Sequence, residues 1–180
     1  MRIEKVNTIA VVIDIQERLF PVMDQQEELI KSCKILIEGL QELKIELLAT
    51  QQYTKGLGDT LPELKELIAN FSPIEKTSFS CYDEPAFVEA LDDSNAKNVI
   101  ICGIEAHVCV LQTAVDLKQA GYNPIVVLDC ISSRSAANKA LAVERFRHEG
   151  IMVTGYESLL FELTRGAKAP EFKAISKLVK

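Results

Sequence analysis

Apolar runs and amphipathic stretches alternate along the whole chain. NTIAVVIDI (7–15) is apolar on both faces and rich in β-branched residues, which predicts a strand buried on both sides. In QEELIKSCKILIEGLQEL (26–43), Leu29, Ile30, Cys33, Leu36, Ile37 and Leu40 recur at helical spacing, so an apolar stripe faces a core. Further strands are predicted at 45–50, 74–77, 99–104, 124–128 and 151–153. Further helices are predicted at 61–71, 84–94, 109–120, 135–149, 157–163 and 171–178. Pro62 and Pro85 suit first turns, where no intrahelical donor is needed, and Gly121 and Gly150 suit helix ends. QQYTKGLGDT (51–60) is polar with two glycines, hence a loop.

Strand–helix alternation implies an α/β fold, a parallel sheet covered by helices on both faces with right-handed crossovers. No linker, low-complexity segment or repeat interrupts it, so residues 1–180 are expected to form a single domain. Ligands in such sheets bind beyond the carboxyl ends of the strands, at the point where strand order reverses. With the order 3-2-1-4-5-6, that point lies between the first and fourth strands. Asp14 ends the first, and Cys109 follows the fourth.

Composition narrows the partners. A chain of 180 residues with a net charge of −6 and scattered Lys and Arg does not suit nucleic acid. MRIEKVNTIAVVIDIQERL is not a signal peptide, because its apolar run is short and no small-residue cleavage site follows. No run approaches the roughly 18 apolar residues of a membrane span, so no membrane partner is expected. A cytoplasmic location follows as the expectation. The five cysteines, Cys33, Cys81, Cys102, Cys109 and Cys130, are odd in number and contain no CxxC pair, which speaks against a disulfide framework and against zinc.

Three residues carry candidate chemistry. Cys109 opens a predicted helix, whose positive end would favour a thiolate and whose N–H groups could receive an oxyanion; equally, a cysteine there packs as a small apolar residue. Asp14 is either a general base near that thiol or a solvated strand-end carboxylate. Lys76 is either a surface charge or, near the thiol, a cation that lowers its pKa and holds substrate oxygen.

Taken together, DIQ after the first strand, EKTSFS after the third and GIEAHVCV after the fourth resemble the isochorismatase-like cysteine hydrolase superfamily. QQYTKGLGDTLPEL, GIEAHVCVLQTAVDL, LDCISSRS and PEFKAISKLVK are similar, more narrowly, to the isochorismatase domain-containing proteins. The resemblance covers essentially the whole chain. It implies a Rossmann-like three-layer α/β/α sandwich with a six-stranded parallel sheet, and a catalytic triad of Asp14, Lys76 and Cys109. Asp14 would take the thiol proton, the sulfur would attack a carbonyl carbon and expel ammonia or an amine, and water would hydrolyse the thioester. Lys76 would orient Asp14, backbone N–H groups near Val108 and Cys109 would form the oxyanion hole, and a cis peptide would join Ile104 to Glu105. A small-molecule substrate and a homo-oligomer, a dimer or larger, are also implied.

The departures matter as much. Metal-binding nicotinamidases of the superfamily place an Asp and His residues after the second strand, where this chain has ATQQYTKGLGDT. His107 and His148 are its only histidines, so no metal and no other cofactor is expected. Cys109 favours an amidase-like reaction over vinyl-ether cleavage. Around the triad, Gln16, Phe20, Tyr53 and His107 are candidate pocket residues, with a structural role favoured for His107 at the strand end. Ser133 or Ser135 suits a helix cap. Arg134 would bind an anionic substrate or lie near a subunit contact, and Cys81 and Cys130 are expected near element ends on the active face. The leading expectation is a metal-independent cysteine hydrolase of a small amide or related carbonyl compound. The alternatives are a small-molecule-binding or scaffold protein of the same fold with little turnover, and a thiol redox protein.

Overall fold

The central strands are the most apolar stretches of the chain, and the fold covers both of their faces. A computed structural model describes residues 2–180. Its strands are β1 (Thr8–Ile13), β2 (Glu46–Gln52), β3 (Ile74–Lys76), β4 (Asn98–Ile104), β5 (Asn123–Ser132) and β6 (Met152–Thr154). They form one sheet in the order β3-β2-β1-β4-β5-β6, every neighbouring pair parallel. The helices are α1 (Gln26–Glu42), α2 (Thr54–Leu57), α3 (Pro62–Lys65), α4 (Pro85–Ser94), α5 (Leu111–Gln119), α6 (Ala136–His148), α7 (Tyr156–Thr164) and α8 (Phe172–Leu178).

Side chains of a strand alternate between faces, so β1 feeds two cores. Ala10 and Val12 join Leu36, Ile37 and Leu40 of α1 and Leu159, Leu160 and Leu163 of α7. Ile9, Val11 and Ile13 join Phe87 and Leu91 of α4, Leu117 of α5 and Phe146 of α6. Burying each such Leu or Phe contributes about 1.5–3 kcal/mol, which is why these strands tolerate almost no polar residue before their carboxyl ends. Gly103 explains how closely β1 and β4 approach there. It pairs with Ile13 at φ +152°, and a Cβ on it would lie 2.5 Å from the Ile13 carbonyl oxygen.

Several boundaries differ from the sequence expectation. β2 continues through Gln52, and the expected loop holds the short helix α2. The helix expected over 61–71 ends at Lys65, and the chain beyond it turns until Asn70 at φ 54°. β5 runs on to Ser132 because Asp129 points its charge at a helix end: its carboxylate accepts from the Tyr156 N–H at 3.0 Å, at the start of α7. Before α5, Ala106–Val110 form a π-helical turn. The cis bond expected at Ile104–Glu105 is a correction: no peptide among the described residues is cis. The change of direction is made instead by Glu105, in the left-handed region at φ 55° and ψ 58°, and by the π turn after it.

Candidate active site

The carboxyl ends of β1, β2, β3 and β4 converge on one buried polar cluster. Asp14 directly follows β1 at φ 53°, a conformation that Asp tolerates better than most residues because its short polar side chain bonds locally. Its N–H donates to the Thr50 carbonyl at 3.3 Å, and its Oδ1 accepts from the Thr50 hydroxyl at 2.8 Å. Lys76 ends β3 and sends its stem past β2, so that Nζ meets Asp14 Oδ2 at 2.6 Å, with the two side chains 0% and 1% exposed. That contact is an ion pair rather than an aligned hydrogen bond. The ammonium also donates to Gln52 Oε1 at 2.6 Å and to the carbonyls of Ser78 and Phe79 at 3.1 and 3.3 Å.

A charge buried this deeply persists only when paired and hydrogen-bonded. Burial works against the Lys76 charge, yet the Asp14 carboxylate beside it offsets that cost, and its pKa stands above the ordinary lysine value. Lys76 is therefore a fixed cation.

Cys109 sits within the π turn and is 6% exposed. Its thiol is pushed up to about 12, first by burial and then by the Asp14 carboxylate, with Lys76 pulling the other way. This reverses the expectation that a helix start would favour the thiolate. Burial and an adjacent carboxylate outweigh the helix end, and the resting sulfur is an S–H beside a base. The expected oxyanion donors also part company: the Val108 N–H is already spent on the Glu105 carbonyl at 2.8 Å.

The surrounding candidates divide. Gln16 is fully buried, its amide donating to the Gln52 and Gly58 carbonyls at 3.0 and 2.7 Å while its oxygen accepts from the Gln52 N–H at 2.7 Å. With every amide group committed to backbone, it pins the loop after β2 and is not a pocket wall. Phe20 lies in a short 3-10 turn and packs against the α1 core. Tyr53 is 51% exposed, and its N–H donates to the Lys76 carbonyl at 2.9 Å. His107 is part-exposed, with Nδ1 3.0 Å from the Ser133 hydroxyl and 3.6 Å from Glu105 Oε2. Arg134 pairs with Glu105 through Nε. Ser135 caps α6 by accepting from the Asn138 N–H at 3.2 Å, and Ser133 does not.

The cysteines separate by face. Cys81 lies with Cys109 on the α4–α5 side of the sheet, whereas Cys130 joins Cys33 and Cys102 on the α1–α7 side. Cys130 thus lies near the carboxyl end of β5 but points into the core opposite Cys109. The sequence reading missed Thr50 as the partner of Asp14 and Gln52 as the partner of Lys76. One signal was available: Thr50 and Gln52 are polar residues at the carboxyl end of an otherwise apolar strand, where a polar side chain needs a reason. Among the described residues, no three His, Cys, Asp or Glu side chains are grouped to hold a metal ion.

The isochorismatase domain model matches residues 8–158. Mouse isochorismatase domain-containing protein 2A is 36% identical over 180 residues, spanning 99% of this chain and 85% of its own length. A Caenorhabditis elegans structure described as the MAR1 ribonuclease superposes with a TM-score of 0.93 at 39% identity, covering 99% of this chain and 92% of that one. Escherichia coli YcaC, described as an octameric hydrolase of unknown specificity, shares the fold at a TM-score of 0.94 and 20% identity, covering 99% of this chain and 89% of that one. With the domain model spanning residues 8–158 and relatives aligned over nearly its full length, the chain belongs to the isochorismatase family, a membership that points to hydrolysis as its class of reaction.

Proposed function

We propose that the protein is a cysteine hydrolase that works without a metal on a small amide or a related carbonyl compound. The observation that carries this reading is the buried Asp14–Lys76 pair, 2.6 Å apart, beside the Cys109 thiol. A thiol pushed up this far is held as S–H at neutral pH. Nucleophilic attack therefore needs a base that takes the proton as the bond forms, and Asp14 is placed to be that base. Its Oδ2 is held by the Lys76 ammonium at 2.6 Å, which orients the carboxylate.

In the forward step, Cys109 Sγ bonds to the carbonyl carbon and its proton passes to Asp14. The oxygen gains the negative charge, and the Cys109 N–H is the donor assigned to it. Collapse breaks the C–N bond, the leaving nitrogen takes the proton from Asp14, and a thioester remains. Asp14 then removes a proton from water, hydroxide adds to the thioester carbon, and collapse releases the acid and restores the thiol. His107, Phe20 and Tyr53 are proposed to line the approach.

The remaining features of the reading are of the same standing. The single continuous sheet supports one domain over 1–180. The octameric YcaC supports a homo-oligomer. Five free thiols suit a reducing compartment such as the cytoplasm; no described helix is long and apolar enough to cross a membrane. Hydrolysis of RNA, suggested by the description of the nematode relative, is disfavoured by the net charge of −6 and by the burial of Lys76, which leaves it unavailable to phosphates.

The test is release of ammonia or amine from a panel of small amides, together with capture of the acyl-enzyme on Cys109 by mass spectrometry. Turnover that vanishes in Cys109→Ala and falls in Asp14→Asn supports the reading. Amide turnover retained in Cys109→Ala, or RNA cleavage with no amide turnover, sinks it.

A further inference from the structure

The general base needs more than its lysine. A carboxylate has two oxygens, and the Lys76 ammonium meets only Oδ2. Oδ1 of Asp14 is equally sealed from water, and one group satisfies it: the hydroxyl of Thr50, donating at 2.8 Å. Thr50 holds the same residue again through its main chain, since its carbonyl accepts the Asp14 N–H at 3.3 Å. The sheet makes this double grip. Thr50 is the register partner of Ile13, the residue before Asp14, so the strand pairing delivers Thr50 to the turn where the base begins.

The direction of the hydroxyl is also set. A hydroxyl has one proton and two lone pairs. Cys81 Sγ donates to Thr50 Oγ1 at 3.8 Å, so one lone pair is occupied and the Thr50 proton is left for Asp14. Cys81 is in turn fixed through its N–H, which donates to Thr113 Oγ1 at 2.9 Å, a residue of α5 just beyond the nucleophile. Burial is the first cause that lifts the Cys81 thiol to about 11, so it carries the proton this arrangement needs. We infer that Thr50 is a positioning residue of the active site, part of a directed hydrogen-bond chain Cys81→Thr50→Asp14. The chain occupies Oδ1 and leaves Oδ2 as the oxygen shared between Lys76 and the Cys109 proton. Cys81, on this account, is a proton-holding strut and not a resolving thiol.

The inference rests on the cysteine-hydrolase reading, and the experiment separates the two. The probe is acrylamide, an amide whose β-carbon bonds to the sulfur of Cys109 while the thiol proton ends on its α-carbon. Adduct formation is followed by intact-mass spectrometry as a function of pH. The wild type is expected to keep a rate plateau below pH 8, bounded by an acid limb, that Asp14→Asn lacks. In Thr50→Val, which removes the hydroxyl at nearly constant shape, the plateau falls about tenfold because the base is no longer held to its geometry. Its acid limb also moves to higher pH, since an ionised carboxylate has lost a donor. Thr50→Ser restores both, which a merely structural role for the side chain would not predict. If Thr50→Val does not fold, Thr50→Ala carries the test, removing the hydroxyl without a branched group to misplace. A plateau and acid limb in a folded hydroxyl-less variant equal to those of the wild type overturn the role of Thr50 and leave the hydrolase reading standing. A wild-type profile identical to that of Asp14→Asn overturns the hydrolase reading itself, and this inference with it.

Discussion

The two faces of the sheet each hold a group of buried cysteines, and only one group has a buried carboxylate–ammonium pair beside it. On the α1–α7 side, Cys33 donates to the Cys130 carbonyl at 3.6 Å and Cys102 to the Val11 carbonyl at 3.7 Å. On the α4–α5 side, Cys109 and Cys81 stand with Asp14, Lys76 and Thr50. Burial is the first cause that raises Cys130 on one face and Cys109 on the other, so depth alone does not distinguish a nucleophile from packing. The difference lies in the neighbours. Cys33 and Cys102 are held by neutral carbonyls, and the one carboxylate beside this group, Asp129 next to Cys130, spends both of its oxygens on the Tyr156 N–H. Cys109 meets a carboxylate that can take its proton and an ammonium that compensates the charge. A thiol in a protein core becomes a candidate nucleophile through the groups that move its proton.

The sharpest way to break that contrast is to delete one cysteine from each face. Cys109→Ala is expected to abolish amide turnover with little change in thermal stability. Cys102→Ala is expected to leave turnover intact and cost about 1 kcal/mol of stability from the small cavity. If Cys102→Ala removed activity as completely as Cys109→Ala, the two faces could not be assigned different roles. Next in size is Asp14→Asn. General-base catalysis contributes roughly 10²–10⁴-fold, so kcat should fall within that range. Lys76 is then left buried without its counter-charge, a defect that typically costs 3–5 kcal/mol. The variant should therefore lose both turnover and denaturation midpoint, where Cys109→Ala loses only the first.

How much of this was legible in the sequence follows from where each residue's constraint comes from. The strand order, the parallel sheet and the pairing of Asp14 with Lys76 lie in local pattern and family resemblance, since both depend on which residues end which strands. The grip of Thr50 does not, because it requires the Ile13–Thr50 register, a pairing between distant segments. Gln16 reads as a pocket residue because it is a polar residue of DIQ just beyond the first strand, but its amide is held by three backbone groups that no spacing displays. The thiolate expectation failed for a similar reason. A helix start is visible in the chain, whereas the burial that overrides it depends on α4, α5 and α6 packing over Cys109. The strand predicted at 124–128 stops short of Cys130, so the core its thiol faces is not legible until β5 is seen to run on to Ser132.

A smaller effect probes the geometry between the faces. Gly103→Ala would set a Cβ 2.5 Å from the Ile13 carbonyl oxygen and 2.7 Å from its Cβ, so β1 must shift where it hands over to Asp14. The strain is expected to cost about 1–3 kcal/mol. Because the next residue is the base, turnover should drop more than the stability loss alone would produce. Turnover at the wild-type rate in a destabilised Gly103→Ala would show that the base tolerates movement of its strand, and would weaken the case for a positioned carboxylate.

The mildest test is alkaline pH, where both faces should respond and only one should matter for activity. The thiols of Cys33 and Cys102 stand well above their ordinary value of 9.0, and those of Cys81 and Cys130 are raised to about 11. A thiol whose pKa is raised by folding binds its proton more tightly in the native state than in the unfolded chain. Its contribution to stability is complete below the ordinary value and is lost as the pH climbs above it. Lys76 acts in the same direction, since its folded pKa also exceeds the ordinary 10.5 and its contribution fades only as the pH passes that range. Thermal midpoints should therefore be insensitive to these groups from pH 6 to 8 and decline above about pH 9, as ionisation begins in the unfolded chain. Removing one raised thiol from either face, by Cys102→Ala or Cys109→Ala, should flatten that decline, while only Cys109→Ala removes turnover. An alkaline decline as steep in both variants as in the wild type would show that the buried thiols do not set it. The shared burial of the two cysteine groups would then have no energetic consequence at high pH, and the contrast between them would rest on Asp14 and Lys76 alone.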